Sequence, residues 1–406
     1  MRVLILCVAV GAFLPTASGA QTLSLTESQA LARLSAESPR VQAVRAAVDV
    51  ARADVLSAAR WPNPRVTFNR EAVSGITENM LMVAQLLPVA GRRRFEVNAA
   101  SARVDAATNR ADDAVRRMRA DLRLAFTDLW VSQTRERELA RSRDQLRELA
   151  DVLGRRELAG EAAGFDRLRA EREVIDVDAD RAAAATDRTQ AQGIVASFFA
   201  AAPADTLIDA VRPEPAPVML PSVDELVARA EMVRGELTAL QKEFDSASLL
   251  EQAARRRRVP EPEIVGGTKS SSAGTGDIGS IISVHVNVPL FDRGGPERAA
   301  AQARAFQVRA EADALRLSLR TQIAAWRSAL IERRAVAEQY RTASAATSEE
   351  VSRIAQVSYE AGEGSILELL DAYRTTSTAR VRQAALDAAV REAEIELEFV
   401  SGWEIP

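Results

Sequence analysis

The chain has 406 residues, 53 Lys+Arg against 57 Asp+Glu for a formal charge of −4, and 47% hydrophobic but only 4% aromatic residues. Ala and Arg dominate where a large core needs aromatic and branched bulk, which points to long helices in place of two or three globular domains. The positive charge is nearly all Arg, interspersed with acids, so no nucleic-acid footprint forms, and one Cys (Cys7) with one His (His285) leaves no pair for a disulfide, a zinc site or a Cys/His nucleophile.

Arg2, the apolar run Val3 to Leu14 and the small residues Thr16-Ala17-Ser18-Gly19-Ala20 form the pattern of a secretory signal peptide over residues 1–20. The run is too short to span a bilayer, and Cys7 lies inside it, away from a lipoprotein cleavage site. The expectation is an exported chain without an acyl anchor. After residue 20 nothing approaches about 18 uninterrupted apolar residues, so entry into a membrane would not use hydrophobic helices.

The first half is expected at residues 21–202. A helical region from Thr26 to Arg60 opens on the capping box Thr26-Glu27-Ser28-Gln29 and is stopped by Pro62 and Pro64. Extended segments follow at about 65–73 and 78–87. Arg92 to Leu153 lacks both Pro and Gly, which as a helix would run roughly 90–100 Å. Gly154, Gly160 and Gly164 punctuate it before a second helical stretch from Phe165 to Ala200, giving a long hairpin over about 92–200. Residues 203–220, with Arg212-Pro213-Glu214-Pro215-Ala216-Pro217, read as an extended linker.

The second half, 221–406, repeats this order. Ser222-Val223-Asp224-Glu225 is again a capping box, Pro260 and Pro262 again end a helical region, and strands are expected at about 263–271 and 278–288. A second hairpin follows over about 295–401, turning at Gly362 and Gly364. Landmarks keep a nearly constant spacing: 198 residues from Pro62 to Pro260, 201 from Pro88 to Pro289, 202 from Gly160 to Gly362.

Ile282, Val284, Val286 and Val288 alternate with Ser283, His285 and Asn287, one apolar and one polar face. Strands of this length fit either tilted membrane-spanning strands or a small soluble sheet capping a helical bundle. If they span, four cannot close: edges cannot stay unpaired in lipid and closed membrane barrels begin at about 8 strands, so several chains must share one barrel.

The whole chain after residue 20 resembles the TolC family of bacterial outer-membrane efflux proteins. The resemblance rests on the doubled pattern, on the strand exit Gln85-Leu86-Leu87-Pro88-Val89-Ala90-Gly91-Arg92-Arg93-Arg94 with its counterpart Val286-Asn287-Val288-Pro289-Leu290-Phe291-Asp292-Arg293-Gly294-Gly295, and on the turn from Tyr359 to Ala372. It implies a mainly α fold with a small β part. A homotrimer would form a twelve-stranded membrane β-barrel continued by a twelve-helix periplasmic α-barrel. It further implies an exit duct in the outer membrane extending into the periplasm, with no enzymatic activity and no cofactor. Its partners would be a periplasmic adaptor and an inner-membrane pump of the resistance-nodulation-division type. The Pro-Val-Ala-Gly-Arg-Arg-Arg exit looks more like the branch that serves heavy-metal exporters than the general drug-export branch. A soluble periplasmic coiled-coil adaptor or scaffold is the alternative, since it too would show a signal peptide and long hairpins.

Glu368 and Asp371 are three apart and share a helix face. Read from the residues alone they are either a solvated acidic face or, repeated by a threefold axis, rings of carboxylates at a constriction. The resemblance matches them to acidic rings at the periplasmic mouth, and matches Asp166 and Tyr359 to groups that hold neighbouring hairpins in the closed state. Gly364 stands where better-known members place an Arg, so a lock would draw on other cations such as Arg167 or Arg353. Gly160, Glu161, Gly362 and Glu363 are the expected adaptor-contacting tips, and Pro88, Gly91, Pro289 and Gly294 mark the strand exits. Met80 and Met82 share a strand face suited to packing or lipid contact, His285 reads as a lumen-facing or interfacial polar residue, and no metal site is expected.

Overall fold

The computed structural model describes residues 22–160, 164–200, 207–212, 219–274 and 276–404. The expected signal peptide, 1–20, lies outside the described residues, as does Glu161. Fourteen elements follow in order: β1 (Thr22–Leu25), α1 (Glu27–Arg33), α2 (Pro39–Ala59), β2 (Arg65–Val73), β3 (Ile76–Leu86), α3 (Arg92–Leu158), α4 (Gly164–Ala196), β4 (Leu207–Ala210), α5 (Val223–Val233), α6 (Gly235–Arg256), β5 (Pro262–Ser271), β6 (Ile278–Val286), α7 (Gly295–Glu360) and α8 (Ile366–Ser401). The described fold is mainly helical with some sheet, and α3 and α7, of 67 and 66 residues, are its longest elements.

Both capping boxes form. Thr26 accepts from the backbone of Gln29, whose side chain accepts in return, and Ser222 and Glu225 do the same. The helical regions behind them are each split in two. Pro39 starts α2 at a position where a missing N–H costs nothing. In the second half Arg234 is extended (φ −69°, ψ 111°) between α5 and α6, its guanidinium 3.0 Å from Asp113 and over the Phe399 ring at 4.6 Å. Gly235 follows because a Cβ there would press into the Asn109 carbonyl and lie 3.2 Å from Asp113 Cβ.

The chain divides into two compact units. One holds residues up to Leu34 with Ala125–Glu214 and Ala343–Ala385, the other Ser35–Leu124, Pro215–Thr342 and Leu386–Pro406. The first contains the hairpin ends and a parallel pair, β1 with β4, Leu23 opposite Ile208. Strand β4 lies within residues 203–220, read from the sequence as an extended linker; residues 201–206 and 213–218 lie outside the described residues. Ile208 and Ala210 are buried, and the buried Gln133 side chain donates to the Ile208 carbonyl at 2.5 Å and accepts from Ala210 N–H at 3.0 Å. A two-stranded sheet has unpaired backbone groups on its outer edges, and Gln133 satisfies two of them.

The second unit contains an antiparallel sheet of order β2-β3-β5-β6. Its helical core joins Leu226 and Ala230 of α5, Leu319, Ile323 and Leu330 of α7, and Val390, Ala393 and Leu397 of α8. Buried charge is paired: Glu394, 1% exposed, accepts from Arg334 at 2.7 Å and Arg391 at 2.9 Å, and Arg117 binds Glu396 through two nitrogens at 2.8 Å each.

Candidate functional site

In the sheet, paired residues share a face, so the register sorts every side chain. One face carries Val66, Phe68, Leu81, Val83, Ile264, Ile282, Val284 and Val286, all of them exposed, Ile282 at 84% and Phe68 at 64%. The opposite face carries Arg65, Glu263, His285, Lys269 and Glu78. Arg65 lies 2.8 Å from Glu263, Lys269 2.6 Å from Glu78, and His285 Nδ1 3.8 Å from Glu263. Met80 and Met82 pair with Lys269 and Gly267 and so stand on this charged face. His285 stands there too. Gly267 is required by close approach, since a Cβ would meet Met82 Cα at 3.0 Å.

The strand exits are built alike. Val89 N–H donates to Leu87 O and Leu290 N–H to Val288 O, both at 2.9 Å, so Pro88 and Pro289 each sit at the centre of a three-residue turn. Gly91 and Gly294 follow in the left-handed region, φ 72° and 74°. Gly294 is also packed, with Arg257 Cβ 3.2 Å from where its own Cβ would be.

At the hairpin ends, Gly160 and Gly362 both take left-handed φ, 75° and 74°. Glu363 and Gly364 donate to the same Ser358 carbonyl at 2.9 Å, which closes the C-terminus of α7. Glu363 is exposed. A Cβ on Gly364 would sit 3.1 Å from Ser358 Cβ and 3.3 Å from Tyr359 N, so an Arg at this position requires the turn to shift.

Asp166 and Tyr359 come together. Tyr359 packs on the cluster of Leu146, Leu153, Ala170, Ile366, Leu369 and Leu370, and its phenol is raised above its ordinary pKa, first by burial, then by the charge of Asp166 and the hydrogen bond between them, against an opposing effect of Arg156. Glu368 and Asp371 are both exposed, off the face that buries Leu369 and Leu370. Glu368 has a second role: Ser365 N–H donates to its carboxylate at 2.9 Å and Glu368 N–H donates to Ser365 Oγ at 3.3 Å. This capping box at the start of α8 is legible as Ser365-x-x-Glu368.

Arg167 binds Glu157 at 2.6 Å and Glu171 at 2.7 Å within its own hairpin, and Arg353 binds Glu350 one turn earlier. A cation that joins α8 to α4 is Arg374, whose Nε and Nη2 both donate to Glu173 Oε1. Its pKa is raised by that hydrogen bond first, then by the Glu173 charge, with smaller contributions from Asp371 and Asp176.

Residues 226–402 match the outer membrane efflux protein family. The chain is 24% identical over 388 residues to the cobalt-zinc-cadmium resistance protein CzcC of Cupriavidus metallidurans, covering 93% of this chain and 90% of that one. It superposes on a membrane protein from Pseudomonas aeruginosa with a TM-score of 0.77, at 18% identity and 93% coverage of both. It superposes on the open state of the Neisseria gonorrhoeae MtrE outer membrane channel with a TM-score of 0.72, at 17% identity and 93% and 88% coverage. Residues 226–402 are thus similar to outer membrane efflux proteins, and over 93% of its length the chain shares the fold of the Pseudomonas aeruginosa structure.

Proposed function

We propose that this protein is the outer-membrane exit duct of a tripartite efflux system, passing substrate delivered by an inner-membrane pump and a periplasmic adaptor to the exterior. The observation that carries this reading is the sheet: four strands of 9 to 11 residues, apolar and exposed on one face and charged on the other. Lipid covers such an apolar face, and a water-filled lumen suits the ion-paired one. A soluble periplasmic adaptor leaves that apolar face exposed to water and is not favoured.

Three copies would supply twelve strands to one closed barrel, and their helical hairpins would continue it across the periplasm. Residues 1–20 would direct export, 21–202 and 221–406 would be the two repeats, and Gly160, Glu161, Gly362 and Glu363 would meet the adaptor. The pump is of the resistance-nodulation-division type, and the likeness to CzcC supports divalent metal ions as cargo. At the mouth, Asp166 with Tyr359 holds the closed state and Glu368 with Asp371 lines the constriction. Arg374 with Glu173 provides the inter-hairpin cation that Gly364 leaves out.

The test is conductance in planar bilayers. Insertion with discrete, small steps that grow when Tyr359 and Arg374 are replaced supports a gated duct. Purified protein that never inserts overturns it.

A further inference from the structure

Four segments of the second unit meet where the sheet gives way to helices: the end of α2, the β3–α3 exit, the end of α6 and the β6–α7 exit. Arg93 stacks over Trp61 at 5.4 Å and Arg256 over Phe95 at 5.8 Å. Leu87 N–H donates to Pro262 O at 2.9 Å, and Arg257 lies 3.2 Å from Asp292 and 2.8 Å from Glu297. These contacts gather arginines that are scattered in sequence, namely Arg60, Arg92 to Arg94, Arg255 to Arg258 and Arg293. Acids neutralise some of them: Arg92 lies 3.4 Å from Glu96, and Arg255 2.8 Å from Glu251. Arg60, Arg94, Arg256, Arg258 and Arg293 are exposed and have no carboxylate partner among the described residues.

Helix formation accounts for only part of this collar. Arg255 and Arg256 end α6, where the helix dipole favours cations, but Arg258 lies beyond that helix. Arg92 to Arg94 open α3, whose first turn holds no acid, and there the dipole opposes them. Apolar side chains surround the same guanidinium groups. Trp61, Val89 and Leu290 are exposed, and Phe291 is 99% exposed. Leu290 and Phe291 line one open groove of about 880 Å³ together with Arg256 and Arg257. Bare rings beside unpaired cations are costly in water and suited to the boundary between acyl chains and headgroups, where the ring enters the apolar side and the guanidinium reaches phosphate.

We infer that this collar binds the phosphodiester headgroups of anionic phospholipid in the membrane leaflet on the helix side of the sheet. This rests on the exit-duct reading, which places the sheet in the membrane and the helices in the periplasm. Charge complementarity selects the lipid. The chain as a whole carries a formal charge of −4, yet the collar presents cations without acids, so an anionic headgroup gains more there than a zwitterionic one. The planar guanidinium fork also matches phosphate oxygens.

The experiment is native mass spectrometry of the full-length protein in mild detergent, which counts bound lipid directly as phosphatidylglycerol or phosphatidylcholine with the same acyl chains is added. Phosphatidylglycerol is expected to bind about tenfold more tightly, and the preference should shrink as salt is raised. Each cation near an anionic headgroup contributes roughly a fivefold change in affinity, so the triple variant Arg94→Gln, Arg256→Gln, Arg258→Gln should lose the preference. Arg169→Gln with Arg382→Gln removes two exposed hairpin arginines that also have no carboxylate partner among the described residues, and should leave the preference unchanged. Equal loss in both variants overturns the collar as the site. Displacement of the lipid by millimolar inorganic phosphate would show a site for a free anion and overturn the lipid assignment. A protein that conducts in bilayers but binds both lipids alike, as it would if a second copy covered the collar, overturns the inference and leaves the duct reading intact. Protein that neither conducts nor sediments with membranes removes both.

Discussion

Arg374 and Glu173 tie α8 to α4, and if this tie holds the mouth closed its contribution has a definite size. Glu173 is largely covered while Arg374 is 64% exposed, so water screens the pair and it contributes on the order of 0.7 kcal/mol per chain, within the range of exposed ion pairs. Three chains opening together would make that about 2 kcal/mol, roughly a 30-fold shift from closed toward open. Arg374→Ala is therefore expected to raise open probability in planar bilayers by that factor, and Glu173→Gln by a similar one. The double variant should add little to either, because both remove the same interaction. Exchanging the charges, Arg374→Glu with Glu173→Arg, should recover most of the closed population. Single variants whose effects multiply, or a charge exchange that opens the channel further, would refute the tie.

Three further outcomes follow from the same geometry. Glu368→Gln keeps the capping box, because Gln also accepts at this helical position, and should lower cation selectivity without loosening the helix start; Glu368→Ala should do both, with a local cost of about 1 kcal/mol seen as faster hydrogen exchange over 365–370. Tyr359 is held protonated above its ordinary value of 10.0, so its hydrogen bond to Asp166 is intact below pH 10 and is lost as pH rises through the raised value. Conductance should climb in that alkaline window, and Tyr359→Phe should abolish the climb. Glu394 is 1% exposed between Arg334 and Arg391, so Glu394→Ala removes the buried acceptor that both ion pairs share and should destabilise the fold, read as a lowered Tm.

Much of the fold was legible because its punctuation is covalent. Pro62, Pro64, Pro260 and Pro262 cannot continue a helix, Gly160 and Gly362 supply the left-handed residue a hairpin needs, and the 62 residues from Arg92 to Leu153 contain neither type. Strand β6 was visible in its alternation. What escaped depends on partners far away in sequence. Strand β4 is four residues long, too short for a periodic signal, and it exists because β1 and the Gln133 side chain satisfy its backbone. The break at Arg234 is stabilised by Asp113 and Phe399, which no local pattern announces. The facing of Met80 and Met82 follows from register with Lys269 and Gly267, not from their spacing. At the hairpin ends, Asp166 and Tyr359 were reached by resemblance, whereas Arg374 was passed over because Arg and Glu recur throughout the helices and one inter-helix pair does not stand out among many solvated ones.

No helix among the described residues is long and apolar enough to cross a membrane. The most direct measurement is cell fractionation followed by gentle detergent extraction and native mass determination of the full-length protein. The account predicts an outer-membrane protein that needs detergent and has the mass of three chains. A monomer recovered from the soluble periplasmic fraction would contradict it.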